Sequence, residues 1–531
     1  MFDTLFIFPF GFWVVVALLA LGAVWAFHHL RDGSGLPILA VLLTVGFWYV
    51  GDALYNDYAN NYVGLFEESA LKSAWWQVVC FLVVFLFATP LVYRWINARH
   101  LHRTSGVLHM FQHGTSNPAF QRQLTLFLQI CGLIWMVLIV LAWVRLKGDI
   151  FYFFFPFLGY KPEPWGRSRL GTGFDAFLSA AYYFHQLVAA VFGVVLALST
   201  RPSTRMLALA GCLLSWPFLV LDRARNSILS VVLPGILSWT LLRLRGGVLK
   251  KAVVLGAFFI VVNAWMAFVI SNRSDLSIAA AVHEKRFSLT NEERVHHGGL
   301  NMYEELCWIN TFIEQGSYIP NWGYRYFADL VNPIPRVLWP GKPLVGIDYA
   351  KLRGQGGADA SDAGVFATIS TGLIGQGVVN FGRIFGPAAA ALLMSLWVAV
   401  IGRLDLHVQE LGYLPLYATG LFVTFNVGRD ICFIALYPFV FGLLVIWCLN
   451  RFYRPAHHQT IPKNSPQRPR AVSRPGNFAA RRGQGRNYRG KKGGLVRGEL
   501  IKPRPFIVSN RRIFIVENVK RAGRGDGRFN S

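Results

Sequence analysis

Long apolar stretches separated by short polar connections set the pattern of this chain. Windows of about 20 apolar residues recur through the first 450 positions, and a helix of that length crosses about 30 Å of hydrocarbon. About eleven windows fit, at residues 5–27, 36–54, 74–96, 124–146, 174–198, 206–222, 226–242, 250–270, 383–402, 412–428 and 431–449. The pattern predicts an all-α fold: a polytopic helical membrane protein with about 11 transmembrane helices.

One connection, residues 271–382, is much longer than the others and is rich in Gly, Pro and charge. Its length indicates a structured, functional loop rather than a plain connector. We expect it to fold over one mouth of the bundle, with a helix over residues 301–314 and a proline-punctuated stretch over 319–362. Residues 364–381 are weakly apolar and predict a short interfacial helix, which does not count as a span.

Composition agrees with the pattern and divides the chain into regions. Hydrophobic residues make up 54% of the chain and charged residues 15%, against roughly 25% charged in soluble proteins, which excludes an ordinary soluble enzyme. Residues 455–531 contain 19 Lys and Arg but 3 Asp and Glu, so 16 of the 25 net positive charges lie there. The predicted domains are therefore a membrane domain, 1–454, which contains the 271–382 loop, and a basic, disordered tail, 455–531.

The distribution of Lys and Arg predicts the orientation. The connection after the third window contains Arg94, Arg99, Arg103 and Arg122, which assigns it to the cytoplasm by the positive-inside rule. Counting outward places the N-terminus outside, the 271–382 loop outside and the basic tail inside. A polybasic segment just inside a membrane favours anionic lipid headgroups or solvent over nucleic acid.

Two arginine-bearing turns lie on the predicted outer face. Arg223 and Arg225 occupy a turn between two apolar windows, and Arg429 occupies another with almost no loop. Charges held at such positions usually have a function. Alternatively, Asp222 could pair locally with Arg223, which would leave Arg225 unpaired. Guanidinium groups bind phosphate through paired hydrogen bonds, so these turns indicate an anionic ligand such as a lipid pyrophosphate.

Residues 332–343 add a third candidate, because four prolines there fix the backbone around Arg336, Trp339 and Lys342. A Trp face stacks on sugar rings, and the two cations could reach a phosphate. The alternative is an interfacial Trp anchor flanked by snorkelling cations.

These segments resemble the Wzy-type oligosaccharide repeat-unit polymerases of bacterial surface polysaccharides. The resemblance covers the topology from about residue 5 to 450 and excludes the tail. It rests on Pro-Arg-Val-Leu-Trp-Pro-Gly-Lys-Pro at 335–343, Val-Asn-Phe-Gly at 379–382, Arg-Ala-Arg-Asn-Ser-Ile-Leu at 223–229 and Arg-Asp at 429–430. Arg353 and Gly364, with ten residues between them, also match a spacing discussed for such polymerases. Gln376 is a departure, since an acid is expected ahead of the Asn-Phe-Gly.

The resemblance implies block transfer of a lipid-pyrophosphate-linked glycan onto a sugar hydroxyl of another lipid-linked repeat unit. Polyprenyl-pyrophosphate-linked glycan is then both donor and acceptor, in the bacterial cytoplasmic membrane, with a flippase and a chain-length regulator as possible partners. No cofactor, nucleotide sugar or metal is implied. Arg225 and Arg429 are expected to hold the pyrophosphate, and Arg223, Arg336, Trp339, Lys342 and Arg353 to bind substrate.

The reaction also needs a base near the acceptor hydroxyl. Glu305 and Asp348 are favoured over the other candidates in the large loop, which are His283, His296, His297, Glu304 and Asp329.

Three other functions compete with polymerisation. An O-antigen ligase would share the donor and the arginines, and Arg225 to Leu229 has the Arg-x-x-x-Leu spacing seen in ligases. A flippase or transporter would instead favour charges within spans and repeated, even loops. A metal-dependent glycosyltransferase would need an acidic pair in an early outer loop, where Asp52 and Asp57 stand. The dominant loop and the 335–343 stretch favour the polymerase.

Overall fold

The computed structural model describes residues 8–113, 116–156, 162, 164–165, 175–221, 225–271, 301–331, 334, 338–343, 349, 352–353, 370–408, 410, 412–429 and 433–452. Internal contacts divide the chain into two units, Met1–His457 and His458–Ser531. The predicted basic tail lies outside the described residues, so the architecture below is that of the first unit.

The described part of the chain is all-helical and contains no strand. Its longer helices are α1 (Phe10–His28), α2 (Gly35–Val45), α3 (Glu68–Ile96), α4 (Pro118–Arg145), α5 (Asp175–Leu198), α6 (Pro202–Val220), α7 (Arg225–Ser238), α8 (Val248–Ser271), α9 (Met302–Glu314), α10 (Tyr324–Val331), α11 (Leu373–Leu406), α12 (Tyr413–Val427) and α13 (Phe433–Phe452). A π-helical turn, Gly46–Val50, continues α2 into a further helical turn, Gly51–Tyr55.

Seven helices in the described part are long and apolar enough to cross a membrane: Phe10–His28, Gly35–Tyr55, Glu68–Ile96, Phe120–Arg145, Ala181–Leu198, Pro202–Val220 and Leu373–Leu406. Large apolar side chains such as Phe87, Leu91 and Leu133 are exposed on these helices. Apolar surface of this kind, on helices of this length, is the lipid-facing surface of a membrane protein.

A helix occupies each of the eleven apolar windows, but not all of these helices are equally long. Ile228–Arg243, Tyr413–Phe425 and Phe439–Cys448 are shorter apolar helices. The membrane character of the chain is therefore established, whereas the number of spans stays a prediction. The expected helix at 301–314 is also present, as α9.

The membrane helices pack in two groups. In the first group, α3 packs along α11 and α1, and it buries Trp75, Phe81 and Phe85 in the shared core. In the second group, α5 is central and packs against α4, α6, α7 and α13. The helix α12 contacts α2 and α11 as well as α7 and α13, so it joins the groups.

The helix α11 is broken at Gly382, whose φ of 78° and ψ of 178° are not helical. The two arms fold back on each other, because a Cβ added at Gly377 would lie 2.8 Å from the carbonyl carbon of Gly386. Residues 373–380 are all buried. We call residues 373–381 the half-helix; it enters the bundle and turns back beside the longer arm.

Candidate functional site

The helix α9, from the large loop, is fixed to the membrane bundle by a buried carboxylate. Asp52 accepts hydrogen bonds from the backbone N–H groups of Tyr303 and Glu304, at 2.7 and 3.2 Å, and so caps the first turn of α9. The Tyr62 hydroxyl and the Asn56 amide donate to the other carboxylate oxygen. Asp52 is thus occupied as a helix cap, whereas Asp57 is exposed and bonded by Asn60.

Further along, α9 is joined to α3 and to the start of the long arm of α11. Asn310 and Gln77 exchange side-chain hydrogen bonds at 2.8 and 3.0 Å in the buried interior. The Nε of Arg383 donates to Asn310 Oδ1 at 2.9 Å, and its guanidinium pairs with Glu314. Since every polar atom named here has a partner, this network holds α9 at a fixed depth against the bundle.

Two of the predicted site residues form an ion pair: Glu305, on α9, and Arg353, further along the large loop. The Arg353 guanidinium donates from Nε and a terminal nitrogen to both Glu305 oxygens, at 3.3 and 3.1 Å. Glu304 lies 3.6 Å from the same guanidinium, which also lies 4.5 Å from the centre of the Trp308 ring. Glu305 is only 2% exposed, so this bidentate pair is a buried, oriented charge cluster.

Tyr349 completes the cluster by donating its hydroxyl to Glu305 Oε2. Burial raises the pKa of Tyr349 well above its usual range, and the neighbouring Glu305 charge raises it further. The phenol therefore stays protonated and remains a hydrogen-bond donor to the carboxylate.

The predicted Arg429 lies where the half-helix begins. The backbone N–H of Leu373 donates to the Gly428 carbonyl at 3.0 Å, and the N–H of Ile374 donates to the Tyr49 hydroxyl at 2.8 Å. Arg429 follows directly and is exposed. Arg429 is thus the residue after the one that contacts a helix N-terminus, whose partial positive charge also favours anions.

The same junction contacts the start of α9. A Cβ added at Gly372 would lie 3.3 Å from the Cβ of Met302. Met302 is three residues before Glu305, so the half-helix start and the charge cluster lie at one end of the bundle.

The helix α10 is amphipathic in an unusual sense, since its charged residues face the protein. Arg325 and Asp329 are buried at 4% exposure each, whereas Tyr324, Phe327 and Leu330 are 45 to 56% exposed. A helix that turns apolar side chains outward and charges inward suits a membrane interface above a polar interior.

Gln376, the departure from the family pattern, contacts the buried side of α10. Its amide nitrogen donates to Asp329 Oδ2 at 2.9 Å. The neighbouring Asn380 accepts from the backbone N–H of Tyr326 at 3.2 Å. A carboxylate is therefore present beside position 376, but Asp329 supplies it.

The proline-rich stretch is described in part. Lys342 is buried and donates to the Ile334 carbonyl at 2.7 Å, which closes the turn on itself. Trp339 is 37% exposed, with its ring 6.3 Å from that of Phe327 on α10.

The remaining predicted residues are described incompletely or not at all. Arg225 begins α7, but its side chain lies outside the described part. Arg223, Arg336 and Asp348 lie outside the described residues.

Sequence reasoning missed two residues and one contact of this region. Arg383 was assigned to the start of a span, although the Gly382 before it could have signalled a helix break. Asp52 was considered only as a metal ligand, and nothing in the local sequence links it to α9. The Asp329–Gln376 contact joins residues 47 positions apart and has no sequence signal.

No group of three or more His, Cys, Asp and Glu side chains that could hold a metal ion occurs among the described residues. Comparison of the chain with protein-family models, with curated proteins and with solved structures finds no match in any of the three.

Proposed function

We propose that this protein polymerises lipid-pyrophosphate-linked oligosaccharide repeat units into a bacterial surface polysaccharide, by block glycosyl transfer at the outer face of the cytoplasmic membrane. The observation that carries the proposal is the position of Arg429. It is exposed beside the N-terminus of the half-helix, at the bundle end that also holds the Glu305–Arg353 cluster.

This arrangement suits a donor whose pyrophosphate lies at the membrane surface while its lipid chain stays in the bilayer. Arg429, with Arg225, would neutralise the pyrophosphate as it departs, which is where negative charge develops in the transition state. The outward apolar face of α10 would rest in the interface and cover the lipid-linked substrate. Arg223, Arg336, Trp339, Lys342 and Arg353 are the proposed contacts to the remaining glycan and phosphate groups.

The bond changes are simple. The acceptor hydroxyl oxygen bonds to the anomeric carbon of the donor sugar, and the bond from that carbon to the pyrophosphate oxygen breaks. The hydroxyl proton passes to a carboxylate, for which Glu305 and Asp348 are the proposed acceptors. The lipid pyrophosphate leaves with its negative charge balanced by the arginines.

The proposed topology follows the positive-inside assignment, with about 11 spans, the N-terminus outside and the C-terminus inside. The candidate site is then extracytoplasmic, where lipid-linked repeat units delivered by a flippase would be available. A chain-length regulator is a possible partner on that side.

The test is polymer synthesis by the purified full chain in liposomes, with lipid-linked repeat units extracted from cells that lack the gene. The wild-type chain should give a ladder of polymer lengths. Arg429→Ala should slow synthesis about 10- to 100-fold, because hydrogen bonds to charged groups contribute about 1.5–3 kcal/mol. Arg429→Lys should restore little, since an ammonium group cannot form two parallel hydrogen bonds.

Arg205→Ala is the matched control, because Arg205 is an exposed arginine in the first turn of α6. It should leave the ladder unchanged. A normal ladder from Arg429→Ala would contradict the role of this residue, and transfer that occurs only onto added lipid A core would favour a ligase.

A further inference from the structure

A cavity of about 270 Å³ lies at the other end of the first helix group. It is lined by Trp25 and His29 near the end of α1, by Ser34, and by Tyr93 and Arg94 in the last turns of α3. Arg103, from the connection after α3, also lines it. A water molecule takes about 30 Å³ in the liquid, so the cavity has room for a phosphate group with several waters.

The cavity is separate from the candidate site. The helix α1 has 19 residues and therefore spans about 28 Å. Phe8, which precedes the first residue of α1, packs against Tyr58 near the start of α9. The last residues of α1 line the cavity. In α3, the Leu71 carbonyl near one end accepts a hydrogen bond from the Tyr303 hydroxyl, and Arg94 near the other end lines the cavity.

Formal charge in the lining comes from two arginines and one aspartate, and Glu410 pairs with one of the arginines. Asp32 is the one acidic side chain in the lining, against Arg94 and Arg103. Arg103 is oriented by Glu410 at 3.2 Å and by the His407 ring at 2.9 Å, whereas Arg94 makes no ion pair with a described residue. Burial lowers the pKa of His100, which also lines the cavity, and the neighbouring His407, Arg403 and Arg103 lower it further.

Neutral hydrogen-bonding groups are also in place. Ser34 is 4% exposed, and its hydroxyl makes no hydrogen bond to a described residue. The Nδ1–H of His29 donates to the Trp25 carbonyl at 3.0 Å, so Nε2 of the neutral ring is an acceptor for a hydroxyl group of the ligand. Arginine and serine side chains around a cavity are usual ligands of a phosphate group.

We propose that this cavity binds a phosphate group, carried either by an anionic phospholipid headgroup or by a free phosphate. Arg94 is the principal ligand, with Ser34 and His29 as additional contacts. The site is distinct from the one proposed for the lipid pyrophosphate and does not depend on the proposed function. It would attach the ends of α1 and α3 to the ligand and stabilise them there.

The test uses the full chain carrying Arg429→Ala, which weakens binding at the other bundle end, and compares cavity variants in that background. One arm titrates inorganic phosphate into detergent-solubilised protein by calorimetry. The other arm measures, by native mass spectrometry, retention of phosphatidylglycerol against phosphatidylcholine after reconstitution in nanodiscs. Arg94→Gln should weaken binding at least tenfold in whichever arm detects it, and Ser34→Ala should weaken it severalfold.

Arg99→Gln is the control, because Arg99 is an exposed arginine of the same connection that does not line the cavity. Selective phosphatidylglycerol retention alone supports a lipid headgroup, and saturable phosphate binding alone supports a free phosphate. The proposal is overturned if neither probe binds, or if Arg99→Gln weakens binding as much as Arg94→Gln. Arg94 is exposed, so its variant should fold, and a monodisperse elution profile checks this.

Discussion

Tyr349 is the residue at which burial, hydrogen bonding and charge act together. Its hydroxyl donates to Glu305, and its raised pKa keeps it neutral while the same side chain in the unfolded chain ionises near pH 10. A folded-state pKa above the unfolded value gives stability that is fully present below pH 10. That contribution is lost as the pH rises above 10.

We predict that Tyr349→Phe lowers the unfolding free energy by about 1–3 kcal/mol at pH 8, because a buried carboxylate loses a donor. Above pH 10 the difference should shrink by up to about 1.4 kcal/mol per pH unit. Thermal unfolding of both proteins in detergent at pH 8, 9, 10 and 11 measures the difference in unfolding free energy. Other buried tyrosines titrate equally in both proteins, so a constant difference over this range would contradict the assignment.

At this scale the sequence predicts residue types but not contacts. The sequence identifies Glu305 as a candidate base in a predicted helix and Arg353 as a candidate ligand from its spacing to Gly364. Their hydrogen bond joins positions 48 residues apart, and the Asp52 cap joins positions 251 and 252 apart. Such contacts depend on how distant helices pack, and local periodicity carries no information about that.

At the scale of elements, the break in α11 determines where the half-helix lies. Gly377→Ala should lower the unfolding free energy by about 1–3 kcal/mol, because the new methyl group would overlap the Gly386 backbone. Polymer synthesis should fall with it, since the half-helix begins beside Arg429. Thermal unfolding and the liposome assay measure the two effects.

Gly132→Ala is the matched control for that substitution. Gly132 is in α4, and a Cβ there would meet nothing within 4 Å. It should be neutral or stabilising by up to about 1 kcal/mol, because alanine favours helix more than glycine. Equal stability of the Gly377 and Gly132 variants would argue against a tight backbone contact.

The cap on α9 leads to a separate prediction. Asp52→Ala leaves two backbone donors and two side-chain donors without their acceptor, and should cost at least the roughly 1 kcal/mol of a helix cap. Asp57→Ala removes an exposed carboxylate and should cost much less. Protease cleavage rates within α9 should rise for the first variant only; similar rates in both would refute the capping role.

The elements themselves were predictable to different degrees. The apolar windows located the membrane helices well, because hydrocarbon requires long, uninterrupted apolar runs. The half-helix was expected as an interfacial segment, yet its residues are buried beside the long arm of α11. Its glycines and polar residues lower its hydropathy, and tertiary contacts explain their presence: Gly377 approaches Gly386 closely, and Gln376 donates to Asp329.

For the whole molecule, the orientation in the membrane is the assignment on which the proposed reaction depends. Tags at the N-terminus and at residue 320 should be accessible from outside the cell, and a tag at residue 460 only from the cytoplasm. Labelling with a membrane-impermeant reagent, before and after permeabilisation, measures this. If the tag at residue 320 were cytoplasmic, the candidate site would lie on the side of the membrane opposite to its proposed substrates, which would contradict the proposed reaction.

The outward apolar face of α10 has a practical consequence for handling the protein. The loop cannot be treated as a water-soluble domain, because Tyr324, Phe327 and Leu330 would be left in contact with water once the bilayer is removed. A fragment containing α9 and α10 would aggregate or require a surfactant of its own. For the intact chain, the amphiphile used for extraction must therefore shield a surface that extends beyond the helices that cross the membrane.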